Sequence, residues 1–196
     1  MSKKILIIFG SPRANGNTST AVKWFSEGAK SCGATVEIVN ANLLQHKTPG
    51  CTACMSCQKS DKRECVIKDE ISAVIKRIPE FDALIIATPI YAFGPSAQIK
   101  IVLDRMFALE KIDEKISGQM ANKTTKKTLG LIATAGGGLE LGLNLLDTTF
   151  KMLSEFSNEH YASLLVPFCG FEHDAIMRKS DIRDQAILLG KKIATN

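Results

Sequence analysis

The chain has 196 residues, 45% of them hydrophobic and 23% charged, and a net charge of +5. That length suits one domain, 1–196, with a full core, and excludes two ordinary ones. The basic excess is spread out rather than gathered in one run, so no nucleic-acid partner is expected, while a phosphate-bearing small molecule fits the charge well.

The opening "KKILIIFG" has a basic start, but its apolar run is too short for a signal-peptide core. No apolar run approaches the roughly 20 residues a membrane span needs. A reducing, cytoplasmic setting is therefore expected, where disulfides rarely persist.

Residues 4–9, "KILIIF", form a short continuous apolar run ending at Gly10, the pattern of a strand buried on both faces. Residues 18–31 read as a helix with Val22, Phe25 and Ala29 on one face and Gly33 as its stop. Residues 35–39 give a second strand. A long polar connection over 40–64 follows. Residues 68–78 form a helix with Asp69 as N-cap and Ile71, Val74, Ile75 and Ile78 at helical spacing. Residues 83–87, "ALIIA", are a third buried strand that ends in "TPIYAFGPS". Ser96 caps a helix over 96–108. Residues 128–134 are a fourth strand, followed by "AGGG" and one long helix over 139–155. A fifth strand at 161–166 and a helix at 181–193 close the chain.

This alternation predicts an α/β fold: a doubly wound, five-stranded parallel sheet of order 2-1-3-4-5 with helices on both faces. Ligands of such sheets bind beyond the carboxyl ends of the strands. The informative loops are then 10–18, 88–95, 134–138 and the connection after strand two.

"GSPRANGNTST" leads from a strand into a helix N-terminus, where backbone amides and the helix dipole attract an anion. Ser11, Arg13, Asn17, Thr18 and Ser19 can add hydrogen bonds. The spacing is neither GxxxxGK[ST] nor GxGxxG. A terminal monophosphate suits it better than a bridging pyrophosphate; an ordinary capped turn is the alternative.

The four cysteines Cys51, Cys54, Cys57 and Cys65 form C-x2-C-x2-C-x7-C. Two successive x2 gaps resemble the bacterial ferredoxin pattern, with a longer final gap and no proline after Cys65. A [4Fe–4S] cube, a zinc ion and a metal-free thiol loop remain open readings. Lys59, Lys62 and Arg63 either offset thiolate charge or form a solvated tip. Cys32 and Cys169 read as small buried residues. His46, His160 and His173 lack ligand spacing. Lys100 and Asp104, one helical turn apart, suggest a surface ion pair or a dimer contact.

"GSPRANGNTS", "TPIYAFGPSAQIKIVLDR" and "ATAGGG", in that order, resemble the NAD(P)H-dependent FMN reductase family, which has a flavodoxin-like fold. The resemblance runs over roughly residues 3–170. It implies that Ser11, Arg13, Asn17, Thr18 and Ser19 hold the FMN phosphate. Pro89, Ile90, Tyr91, Ala92 and Phe93 would line the isoalloxazine, and Thr134, Gly136 and Gly137 would let the backbone approach the ring or ribityl edge. For Tyr91 and Phe93, a plug in the core is the alternative. Within these relatives, a compact cysteine motif after strand two marks the iron–sulfur flavoproteins, with Cys51, Cys54, Cys57 and Cys65 as ligands. Similar loops ending "CxxKD", as "CVIKDE" does here, also resemble those of reductases without a cluster.

The expected function is an FMN-dependent oxidoreductase that passes electrons from NAD(P)H to a quinone, a flavin or another acceptor, with or without a cluster. The alternative is an electron carrier between partner proteins, and a third option is a flavin-free interaction protein. No proton-transfer residue is nominated, because the cofactor carries the chemistry. The resemblance also implies a homodimer or homotetramer. Residues 110–122, a polar insertion between the third helix and the fourth strand, are a candidate interface or lid.

Overall fold

The first strand, β1 (Lys4–Phe9), is wholly buried after its first residue. The computed structural model describes residues 2–112, 127–170 and 172–196. The segment proposed from sequence as an interface or lid lies, beyond residue 112, outside the described residues.

β1 is followed by α1 (Asn17–Ser31), β2 (Thr35–Asn40), α2 (Glu70–Arg77) and β3 (Ala83–Tyr91). A two-residue return strand, β4 (Gly94–Pro95), pairs antiparallel with the end of β3. Then come α3 (Ala97–Met106), β5 (Thr128–Thr134), α4 (Asn144–Phe156), β6 (His160–Val166) and α5 (Ser180–Thr195). The long strands run in the order β2-β1-β3-β5-β6, all parallel. With the short β4 set aside, this is the 2-1-3-4-5 order expected from the sequence.

The period-2 alternation of the strands divides the core in two. Ile5, Ile7 and Phe9 of β1 join Ala83, Ile85 and Ala87 of β3 beneath α1 and α5. Leu6 and Ile8 join Leu84 and Ile86 on the opposite face, beneath α2, α3 and α4. Each fully buried Ile or Leu contributes roughly 1.5–3 kcal/mol. On the first face, Gly28 and Gly190 let α1 and α5 approach backbone to backbone: a Cβ on Gly190 would lie 2.1 Å from the Phe25 carbonyl oxygen.

Two elements and one cysteine differ from the sequence reading. The third strand runs four residues past Ala87, because "TPIY" continues the parallel register with β5 up to Pro89 and then turns into β4. The helix expected over 139–155 is broken. Residues Leu139–Leu143 form a wide turn in which Leu141 and Gly142 leave helical geometry, and α4 begins only at Asn144. Gly142 takes φ +107, a conformation glycine tolerates and other residues resist. Cys32, read as buried, is exposed, since it sits at the C-cap of α1. The Asp69 cap is present as a reciprocal capping box with Ser72.

Candidate flavin site and cysteine recess

Three loops meet at the carboxyl ends of β1, β3 and β5. The first follows Gly10, which has no room for a side chain: a Cβ there would lie 2.1 Å from Ile99 Cγ1. The Ser96 hydroxyl donates to the Gly10 carbonyl at 2.7 Å, and the Ser96 N–H donates to Thr88 Oγ1 at 2.9 Å. One buried serine therefore ties the ends of β1 and β3 together while it caps α3. The loop enters α1 through Gly16, whose N-cap position makes no side-chain capping bond. No acidic residue stands in the first turn of α1. The first-turn amides thus lack a side-chain cap, and the turn itself carries no carboxylate to compete with an anion at the dipole end.

The side chains named from the sequence divide into two groups. Arg13 is exposed at the loop tip, beside an open pocket also lined by Asn15, Glu172 and His173. Ser11 is buried, and its hydroxyl accepts from the Arg13 N–H at 3.3 Å, fixing the turn. Asn17, Thr18 and Ser19 serve the scaffold. Asn17 Nδ2 donates to the carbonyls of Cys169 and Glu172, and its Oδ1 accepts from the Ile176 N–H at 3.0 Å. Thr18 and Thr134 share a hydroxyl–hydroxyl bond of 2.7 Å that links the first and third loops. The Ser19 hydroxyl donates to the Gly16 carbonyl at 2.8 Å.

The second loop is the β3–β4 hairpin. Ala92 (φ +46) and Phe93 (φ +64) both occupy the left-handed region, as a tight two-residue hairpin turn requires. Asn-Gly is the usual choice there, so this turn holds strain, a feature that gathers at ligand clamps. Pro89 is buried and Ile90 half-buried, whereas Tyr91 and Phe93 project into solvent, 47% and 60% exposed. That exposure excludes the reading of Tyr91 and Phe93 as a core plug. Behind the tip, Gly142 packs so closely that a Cβ would lie 2.9 Å from Phe93 Cα. Sequence reasoning missed Gly142; the run "LELGLN" offered only an isolated glycine inside a helical pattern.

The third loop begins at buried Thr134. The Gly137 carbonyl accepts from the Phe168 N–H at 2.9 Å, and a Cβ on Gly136 would meet open space. Burial pushes the Cys169 thiol, just behind this loop, up to about 11. It is a packed thiol rather than a reactive one.

The cysteine segment is a separate structure. Cys51, Cys54, Cys57 and Cys65 all line one small recess of about 130 Å³, closed by Val66, Ile67, Arg105, Phe107 and Ala108. Left-handed backbone at Ala53 (φ +52) and Met55 (φ +55) reverses the chain between the first three cysteines. Donors reach the sulfurs: the Ala53 N–H to Cys51 at 3.4 Å, Gln58 Nε2 to Cys57 at 3.6 Å, and Arg105 to Cys65 at 3.5 Å. The N–H and hydroxyl of Ser56, with the Thr52 hydroxyl, hold the Cys54 thiol below its ordinary range. Among the described residues, no three His, Cys, Asp or Glu side chains are already drawn close enough to hold a single metal ion. All four thiols nonetheless line one common space, a donor set suited to thiolate-held iron–sulfur or zinc. Lys59, Lys62 and Arg63 are exposed, and the three histidines are exposed as well.

A larger apolar cavity of about 600 Å³ lies near the amino ends of β3 and β5, lined in part by Phe81, Leu84, Leu103, Phe107 and Leu129. It is remote from the strand ends where such sheets bind ligands. Lys100 and Asp104, on its rim, form the exposed i,i+4 ion pair expected from their spacing.

A parallel sheet of this order with its loops so arranged defines the flavodoxin-like class of proteins. Residues 3–162 match the family model for NADPH-dependent FMN reductases, and the chain belongs to that family. It is accordingly an NAD(P)H-dependent oxidoreductase of the FMN-using type. An iron–sulfur flavoprotein of Methanocaldococcus jannaschii is 29% identical over 151 residues, covering 77% of this chain and 73% of that relative. One from Archaeoglobus fulgidus is 35% identical over 103 residues, covering 53% of this chain and 45% of the relative. An FMN-dependent NADH-azoreductase from Bacillus anthracis, solved in complex with FMN, superposes with a TM-score of 0.67 at 12% identity, covering 98% of this chain and 99% of that one. No described helix is long and apolar enough to cross a membrane.

Proposed function

We propose that the three convergent loops bind FMN and that the cysteine recess binds a [4Fe–4S] cluster, making the protein an iron–sulfur flavoprotein. It would move electrons from NAD(P)H to a quinone, a flavin or another small acceptor. The observation that carries the flavin assignment is the uncapped N-terminus of α1, joined through Thr18–Thr134 and Ser96–Gly10 to the other two loops.

In this reading the α1 amides and Arg13 receive the FMN phosphate, while Ser11, Asn17, Thr18 and Ser19 hold the loop in shape around it. Tyr91 and Phe93 lie along one face of the isoalloxazine, with Pro89, Ile90 and Ala92 setting their position. Gly136 leaves space for the ring edge beside Thr134, and Gly137, packed against Leu141, lets the backbone approach it. Bound there, FMN supplies the exchange between two-electron and one-electron chemistry. The exposure of the Tyr91–Phe93 tip leaves one side open to the nicotinamide, to an acceptor, or to a second subunit of a homodimer or homotetramer.

The gathering of four thiols about one space supports the cluster and gives weight to a second reading, a one-electron carrier between partner proteins. Titration with FMN, followed by NAD(P)H oxidation with quinone, flavin and azo acceptors, tests the first reading. Tight FMN binding with turnover supports it. FMN binding without turnover on any acceptor, alongside fast reduction by a ferredoxin, replaces it with the carrier. Absence of FMN binding overturns both. Anaerobic reconstitution should give about four irons and matching sulfide per chain, the count of a cysteine-held cube.

A further inference from the structure

Arg105 is the largest fully buried side chain among the described residues, at 1% exposure. It sits near the end of α3, and its presence there is unexpected on packing grounds. A guanidinium is always charged, and moving it out of water costs several kcal/mol unless the site answers every donor. The site answers most of them. Nη1 donates to Asp69 Oδ2 at 2.7 Å, and Nη2 donates to the Ile67 carbonyl at 2.9 Å and to Cys65 Sγ at 3.5 Å. Nε is buried and makes no hydrogen bond. The same side chain forms part of the wall of the recess that all four cysteines line.

Asp69 is committed elsewhere as well. Its carboxylate caps α2 through the Ser72 N–H at 3.0 Å and accepts from the Lys47 N–H at 3.0 Å. Burial pushes its pKa up, but the Arg105 hydrogen bond and these two amides outweigh that and hold it well below the usual carboxylate range. One arm of the guanidinium is thus anchored to a rigid helix start. The other arm reaches the one cysteine that stands apart in the sequence, separated by seven residues from the compact trio. A lysine would not serve in the same way, since a single ammonium lacks the planar fork that spans two partners at once.

We propose that Arg105 is a positioning residue for the thiol cage: clamped by Asp69, it holds Cys65 in the recess and sets a permanent positive charge beside the iron–sulfur cluster. This inference rests on the cluster reading above. The physical consequence is twofold. Cys65 is held ready as the fourth ligand, so the cluster is retained. A cation donating to a ligand sulfur favours the more negative, reduced cluster, which raises its potential.

The test compares wild type with Arg105→Gln and Arg105→Lys after anaerobic reconstitution. It reads iron and sulfide per chain, the rate of cluster loss to a chelator, the cluster midpoint potential and, as a fold control, FMN affinity. Arg105→Gln should keep FMN, lose its cluster at least tenfold faster, and show a lower potential in whatever fraction loads. The expected change is about tenfold in the reduction equilibrium, or about 59 mV for a one-electron couple. Arg105→Lys should recover most of the potential while still losing the cluster faster than wild type. A Gln variant with wild-type retention and wild-type potential overturns the inference and leaves the cluster reading intact. So does a Lys variant as low in potential as the Gln variant. Should Arg105→Gln lose FMN along with iron, Arg105→Lys decides alone: faster cluster loss with tight FMN supports the role, and wild-type durability overturns it. Wild-type protein that binds FMN yet takes up no iron overturns the cluster reading, and this inference with it.

Discussion

The loops at the sheet ends and the cysteine segment are both irregular backbone, yet they are made rigid in different ways. The first set is an extension of the sheet. Each loop departs from a buried parallel strand, and short bonds such as Ser96–Gly10 and Thr18–Thr134 lock neighbouring strand ends together. Among the described residues, the cysteine segment pairs with no strand of the sheet. It is held by tethers to other elements: Arg105 to Cys65, Gln58 to the Glu110 carbonyl, and the Lys111 ammonium to the Cys57 and Ser60 carbonyls. A site built on a scaffold inherits its geometry from the fold, whereas a tethered site depends on a few side chains and on whatever it binds.

If the two regions are independent in this sense, they should fail separately. The largest expected effect is from Cys54→Ala, which should abolish bound iron in anaerobic reconstitution while FMN affinity stays within about twofold of wild type, under ~0.5 kcal/mol. Joint loss of both groups would break the comparison. In the opposite direction, Gly10→Val forces a side chain into Ile99 and Ser96 and should cost roughly 1–3 kcal/mol or more in thermal unfolding, with FMN binding lost. A smaller effect is expected from Gly142→Ala. The φ of +107 and the contact with Phe93 should cost about 1–2 kcal/mol and weaken FMN about tenfold in a fluorescence titration, with iron content unchanged.

Acid should distinguish the regions next. Asp69 has a depressed pKa in the folded protein, so its contribution to stability is complete above the unfolded value, near 3.9, and is lost as pH falls towards the lower folded value. As pH falls below the unfolded value, proton binding favours locally opened forms in which the Asp69–Arg105 pair and the α2 cap are both broken. Thiol accessibility in the cysteine segment should therefore rise below about pH 4, ahead of global unfolding followed by circular dichroism. The smallest effect belongs to Lys100→Ala, which removes one exposed ion pair and should change stability by under ~0.5 kcal/mol.

The sequence made the scaffolded region legible because its physics is periodic. "KILIIF" reads as a buried strand from composition alone, and the strand order followed from the count of strand–helix alternations. The breaks in that record are local. The third strand was cut at Ala87 because Pro89 and the turn residues after it mask a register that only pairing with β5 reveals. The helix over 139–155 was drawn without its break because the strain at Gly142 comes from contact with Phe93, 49 positions earlier. Asn17, Thr18 and Ser19 were found as a group by their chemistry, but the bonds of Asn17 and Thr18 to residues 134–176 depend on the folded sheet. The cysteine segment was visible through spacing alone. Its main support was not, since Arg105 lies forty positions from Cys65 in what reads as an ordinary amphipathic helix.

The neck of that segment has one more consequence. The Gln45 N–H donates to Glu70 at 2.7 Å and the Lys47 N–H to Asp69 at 3.0 Å, so both ends of a stretch more than twenty residues long are stitched to a single helix start. The stretch is an Ω-shaped appendage with its own foundations. Lengthening its outer rim should cost only about 0.6 kcal/mol for each doubling of the free length. A loop of this kind can be enlarged, trimmed or exchanged without reshaping a single strand.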